Sequence, residues 1–126
     1  MSEPVLSVVI PTRNRRDILM RTLRALGGQR GLGGRFEVIV VDDGSTDGTA
    51  RAVSGSVFER FDQQVLTVEP GGPARARNRG IAAASAKRVL LLGDDTVPTT
   101  LSVSGHLRPS AGRDVAVQGR IDWDPD

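Results

Sequence analysis

The sequence predicts an α/β domain, a mainly parallel sheet with helices on both faces. Three observations lead there. Strand-like and helix-like segments alternate along the chain. The strand-like segments are near-continuous apolar runs, the pattern of strands buried on both faces. Polar or acidic turns then follow one strand end after another: PTRNRR, DDGSTD and GDDT.

The first strand is the β-branched run Val5 to Ile10, closed by Pro11. From Arg15 to Leu26, residues Ile18, Leu19, Thr22, Leu23 and Leu26 recur at helical spacing on one face, and Gly27 and Gly28 end the helix. The glycine-rich GGQRGLGG that follows comes after a helix instead of a strand, so it carries no nucleotide fingerprint. Phe36 to Val41 is a second strand. Ser45 or Thr46 is expected to cap a helix running to about Val57, with Asp47 in its first turn. Gln64 to Val68 is a third strand. The Ala- and Arg-rich stretch Pro73 to Ala86 reads as a helix with Ala74, Asn78, Ile81, Ala82 and Ser85 on one face. Val89 to Leu92 and Asp114 to Ile121 complete five strands, with a short helix from Thr99 to Leu107 between them. No repeat, low-complexity tract or linker divides residues 1–126, so a single domain is expected.

Composition narrows the class. Apolar residues are 38% and charged residues 25% of 126, which fits a globular chain and not a disordered one. The pI is about 10.3 although the net charge is only +2, because 16 of the 17 basic residues are Arg, which hardly titrates. That excess is too small, and the aromatics (Phe36, Phe58, Phe61, Trp123) too few, for a nucleic-acid binder. Without Cys there is neither a disulfide framework nor a thiolate metal site. The run in MSEPVLSVVIP is too short for a signal peptide or a transmembrane segment, so a cytoplasmic protein is expected.

In an open parallel sheet, ligands bind beyond the carboxyl ends of the strands, where strand order reverses. Two acidic pairs, Asp42-Asp43 and Asp94-Asp95, leave the sheet at that edge. Brought together they repel unless a cation or a ligand rich in donors lies between them. Carboxylates are hard ligands suited to Mg2+ or Mn2+, which also bind substrate phosphates. Arg13, Arg15 and Arg16, with Arg75, Arg77 and Arg79, flank the same edge. Carboxylates for a metal and arginines for phosphate together fit a nucleoside diphosphate.

The stretches VVIPTRNRRDILMRTLRAL, VIVVDDGSTDGTA and GGPARARNRGIAAASAKRVLLLGDDTVP, in that order, resemble the amino-terminal, donor-binding portion of a family 2 glycosyltransferase of the GT-A fold. The resemblance covers nearly the whole chain. It implies the Rossmann-like, nucleotide-binding half of that fold, a nucleotide-diphosphate sugar such as a UDP-sugar as donor, and Mg2+ or Mn2+ as cofactor. Carried over by position, Pro11, Thr12 and Arg13 would line the base and ribose. Asp43 would accept a hydrogen bond from the base edge. Asp94 would hold the ribose hydroxyls, Asp95 the metal, and Arg77, or secondly Arg75, the diphosphate. Gly93 stands where the family's acidic motif begins with Asp, one carboxylate fewer for the metal.

Family members transfer the sugar with inversion, a carboxylate base deprotonating the acceptor while metal and arginine stabilise the leaving diphosphate. The family places that base in an acceptor half, and no base is identifiable in this sequence. The acceptor half is expected to be absent, and the exposed edge this leaves would favour a homo-oligomer. A nucleotide or nucleotide-sugar binding module without turnover is the alternative. Other nucleotide folds fit poorly: no GxGxxG follows the first strand, no GxxxxGK[ST] occurs, and Val41 replaces the aspartate a haloacid dehalogenase motif needs. The remaining charges read as scaffold. Asp42 and Asp47 are expected to brace their loop, and Arg15, Arg16, Arg21, Arg24, Arg79 and Arg88 to lie on solvated surfaces. His106 is expected to be structural or exposed, and Trp123 to mark a contact with another segment or subunit.

Overall fold

The computed structural model describes residues 3–110 and 115–122. Its elements run β1 (Ser7–Thr12), α1 (Arg16–Gly27), β2 (Phe36–Asp42), α2 (Thr49–Ser54), β3 (Phe61–Thr67), α3 (Pro73–Ala83), β4 (Val89–Leu91) and α4 (Ser102–Ser110). The four strands form one sheet in the order β3-β2-β1-β4, with every pairing parallel. The expected fold class holds.

Alternation along the central strands assigns the two faces. Val8, Ile10, Val38 and Val40 point to the side covered by Leu19, Leu23 and Leu26 of α1, Val53 of α2 and Val103 of α4. Val9, Ile39 and Val41 point the other way, against Ala76 of α3. Each fully buried Val or Leu here is worth about 1.5–3 kcal/mol of transfer free energy, so these two layers carry most of the favourable term. Gln29, buried at the end of α1, donates to Ala25 O and Thr99 O and accepts from Val103 N, which ties α1 to α4.

Strand order reverses between β1 and β4. On its β4 side, β1 bonds through Ser7 N to Arg88 O and through Val9 O from Leu92 N. Pro11 faces the same side two residues later, beyond the last β1–β4 register pair, Val9↔Leu91. There its missing N–H costs no ladder bond. This is why β1 continues through Pro11 to Thr12 instead of closing at Ile10.

Several boundaries and faces differ from the sequence expectation. In α1, Leu19, Thr22, Leu23 and Leu26 are buried as expected, but Ile18 is exposed. Helix α2 begins at Thr49 after Gly48 at φ 81° and ends before Gly55; Ser45 and Thr46 cannot cap it because both are bound to Asn14. Strand β3 starts at Phe61, whose ring packs 4.8 Å from Phe58 and 5.2 Å from Phe36 between centroids. Helix α3 buries Ala76 and Gly80, not the Ala74–Ser85 face. An Ala-rich helix has little apolar periodicity to read, and its closest approach is through its smallest residue. The fifth strand does not form over described residues 115–122: Val115, Val117 and Ile121 are exposed, and β4, three residues long, offers little edge to pair with. Asp114, Trp123 and Asp124 lie outside the described residues. No helix among the described residues is long and apolar enough to cross a membrane.

Candidate functional site

The acidic pairs meet at Thr12, the last residue of β1. Its carbonyl accepts from Asp43 N at 2.9 Å, continuing the β1–β2 ladder by one residue. Its hydroxyl donates to Asp94 Oδ2 at 2.9 Å. Thr22 of α1 donates its hydroxyl to Asp94 O at 2.8 Å, so the turn after β4 is held from both β1 and α1. Thr12, Asp43 and Asp94 are all buried. Two strand ends separated by 51 residues in the chain thus share one residue of contact.

Asp43 reaches across to the entry of α3, accepting from Gly71 N at 2.9 Å and Gly72 N at 3.0 Å, one on each carboxylate oxygen. An ionised carboxylate has about four acceptor positions, so each oxygen retains one. The loops after β2 and β3 also touch directly: a Cβ on Gly44, at φ 77°, would lie 2.5 Å from Pro70 Cγ. Asp42 turns back to accept from Ser45 N, as expected of a loop brace.

The loop after β1 is pinned to the loop after β2. Asn14, at φ 52°, donates its amide N–H to Ser45 Oγ and accepts from Thr46 N. Asp47 accepts from Arg16 N and Thr49 N and bonds the Thr49 hydroxyl. The Thr49 hydroxyl first, then these amides, hold the Asp47 carboxyl below its ordinary value despite some desolvation. Asp47 is therefore a brace. A groove of about 290 Å3, lined by Asn14, Arg15, Arg16, Asp17, Ile18 and Asp47, opens beside it. A second cavity, of about 240 Å3, lies at the opposite, amino edge of the sheet between Gln29, Arg30, Gly31, Phe36 and Arg60, away from the carboxylates.

One residue that the sequence placed at this edge was given the wrong role. Arg15, assigned there to a solvated helix face, donates from Nη1 to Asp94 Oδ1 at 2.8 Å and lies 3.9 Å from Asp95 Oδ2. Its backbone, at φ −136° and ψ 43°, is the N-cap of α1 and not part of the helix, so the helical stripe does not govern where its side chain points. The available signal was its position three residues beyond a strand end.

The other candidate residues are spread around this core. Pro11 adjoins Thr12, half-buried, and Arg13 is exposed on the following loop. Asp95, 60% exposed at its side chain, is the one carboxylate of the pair open to solvent, since Asp94 is bound on both oxygens. Arg77 is exposed one turn into α3, on the other face of the sheet, and its side chain has no hydrogen bond or ion pair among the described residues. Arg75 lays its stem along Gly71.

Among the described residues no three His, Asp or Glu side chains converge to hold a metal. The donor set fits a divalent cation in one way: Asp95 as a protein ligand, with phosphate oxygens and water completing the shell, as Mg2+ commonly accepts.

A family model described as glycosyl transferase family 2 matches residues 7–126. Validoxylamine A glucosyltransferase of Streptomyces hygroscopicus subsp. limoneus is 41% identical over 111 residues, covering 86% of this chain and 24% of that protein. The chain spans about a quarter of the length of the curated relatives it matches first, 24% and 26%. Among solved structures, S. aureus TarS 1-349 in complex with UDP-GlcNAc superposes with a TM-score of 0.71 at 30% identity, over 79% of this chain and 29% of that one. A mannosyltransferase from Pyrobaculum calidifontis in complex with GDP-Man and Mn2+ superposes with a TM-score of 0.66 at 28% identity, over 75% and 28%.

Proposed function

The chain belongs to glycosyl transferase family 2, and on that premise we propose that it forms the donor-binding portion of an enzyme that transfers a sugar from a nucleotide-diphosphate sugar, with inversion, to an acceptor. The observation that carries this reading is the junction at Thr12, which brings Asp43 and Asp94 together at the switch point of a parallel sheet. Pro11, Thr12 and Arg13 take the base and ribose, Asp43 offers its remaining acceptor positions to the base edge, and Asp94 faces the ribose hydroxyls. Arg77 supplies positive charge toward the diphosphate. A divalent cation, where bound, neutralises the leaving diphosphate, with Asp95 as its protein ligand. The nucleotide-sugar and cation complexes of the two structural neighbours support this choice of ligand class.

The catalytic base is assigned to no residue here; Asp122 is exposed and paired with Arg120. Turnover therefore needs residues beyond those of the rim.

Melting curves with UDP, GDP and dTDP, each with and without MnCl2, test the reading. At a free concentration about a hundredfold above Kd, the matching nucleotide adds about 2.7 kcal/mol, a rise of about 10 °C for a domain of this size. Asp95→Asn is expected to lose the part of that rise that depends on Mn2+ and to keep the unliganded melting point. An equal Mn2+-dependent rise in the variant would remove Asp95 as the ligand.

A further inference from the structure

The acidic rim already contains a cation. Asp94 is buried, and its carboxylate oxygens are taken separately, Oδ2 by the Thr12 hydroxyl and Oδ1 by Arg15. The same guanidinium nitrogen lies 3.9 Å from Asp95 Oδ2, so it stands beside both carboxylates, including the one a divalent ion would approach. Arg15 is itself 44% exposed at its side chain, and its N-cap backbone leaves it free of the packing that fixes α1. It can swing to solvent without disturbing a core contact. Thr12, in contrast, is fixed by the sheet. We infer that Arg15 is the resident counter-ion of the Asp94–Asp95 pair, a positioning residue that holds the Asp94 carboxylate in place and competes with a divalent cation at Asp95.

This inference rests on the donor-binding reading above and adds to it an order of events. While Arg15 occupies the pair, a cation alone meets one neutralised carboxylate and a nearby positive charge. A diphosphate gives the guanidinium an alternative, bidentate partner. Donor arrival thereby frees Asp94 and Asp95, so cation and nucleotide enter together.

The test is calorimetric titration of MnCl2 alone into the nucleotide-free chain. Arg15→Gln is expected to bind Mn2+ about tenfold more tightly than the wild type, the effect of one unit charge on a divalent ion about 6 Å away in a water-like dielectric. Arg15→Lys keeps the charge and is expected to stay within about twofold of the wild type. Arg24→Gln, which removes an exposed charge elsewhere on α1, is expected to do the same and controls for net charge. If Arg15→Gln binds Mn2+ no more tightly, the counter-ion role is overturned, and the donor reading survives provided UDP, GDP or dTDP still raises the wild-type melting point. If no nucleotide does so either, both fall.

Discussion

Asp43→Ala is expected to destabilise the domain by about 2–3 kcal/mol and to abolish the nucleotide-dependent rise in melting point. The carboxylate is buried and accepts from Gly71 N and Gly72 N at 2.9 and 3.0 Å. Hydrogen bonds to a charged group contribute roughly 1.5–3 kcal/mol each; the loss falls at or below the foot of the summed range because the Gly71 and Gly72 amides sit at a partly exposed loop and recover water when freed. The loop from Val68 to Gly72 leads directly into α3, so its release also loosens the helix that carries Arg77. Asp43→Asn separates the two effects. Its amide keeps one acceptor oxygen but turns an NH2 group toward the other glycine N–H, and about half the stability loss is expected. Urea unfolding of both variants, with melting curves in the matching nucleotide, measures this. Wild-type stability in Asp43→Ala would show that the α3 entry is held some other way.

Gly80→Val is expected to cost about 3 kcal/mol or more. A Cβ at this position would lie 2.3 Å from Val9 Cγ1 and 3.0 Å from Val41 Cγ2, and both valines are fully buried in the two central strands. Neither can yield, so α3 must lift from the sheet. Overpacking of this kind costs typically 1–3 kcal/mol, and lifting the helix also uncovers Ala76 and the Val9–Ile39–Val41 layer. The gain in helix propensity on replacing Gly, well under 1 kcal/mol for Val, offsets little. In a domain whose total stability is of order 5–15 kcal/mol, a large fraction is at stake. The expected result is a lower urea midpoint with an unchanged slope. A midpoint equal to the wild type would mean that α3 does not pack as closely as Gly80 allows.

The fold was legible where burial is two-sided. Residues 38–41 and 8–10 are apolar without interruption, the pattern of a parallel strand buried on both faces. It was less legible where packing uses small residues or local loop chemistry. Gly80, the closest point of contact on α3, gives no hydrophobic signal, and Ser45 and Thr46 look like helix caps until Asn14 is seen to bind both. The strand expected at 114–121 had suitable apolar alternation, but pairing needs an edge, and alternation cannot report that β4 is three residues long.

For the site, the carboxylates were legible because two strand ends both terminate in Asp-Asp, and strand ends of a parallel sheet lie on one rim. Thr12 as the residue joining Asp43 to Asp94 was not, since a Thr after a Pro carries no distinctive signal. Arg15 was read by helical periodicity although it sits just before the helix begins. Both misses share a cause: the contacts span 79 and 82 residues of chain and depend on β4 lying beside β1.

The central claim is that the rim joined at Thr12 is a single nucleotide-binding site. Backbone amide resonances recorded while UDP, GDP or dTDP is added with MgCl2 test it most directly, at a mass of 13.4 kDa well suited to the method. The account predicts that the matching nucleotide shifts Thr12, Asp43, Gly71, Gly72, Asp94 and Asp95 together, with one common affinity. Shifts confined to Gln29 through Gly34 and Arg60, at the opposite edge of the sheet, or none with any of the three, would contradict it.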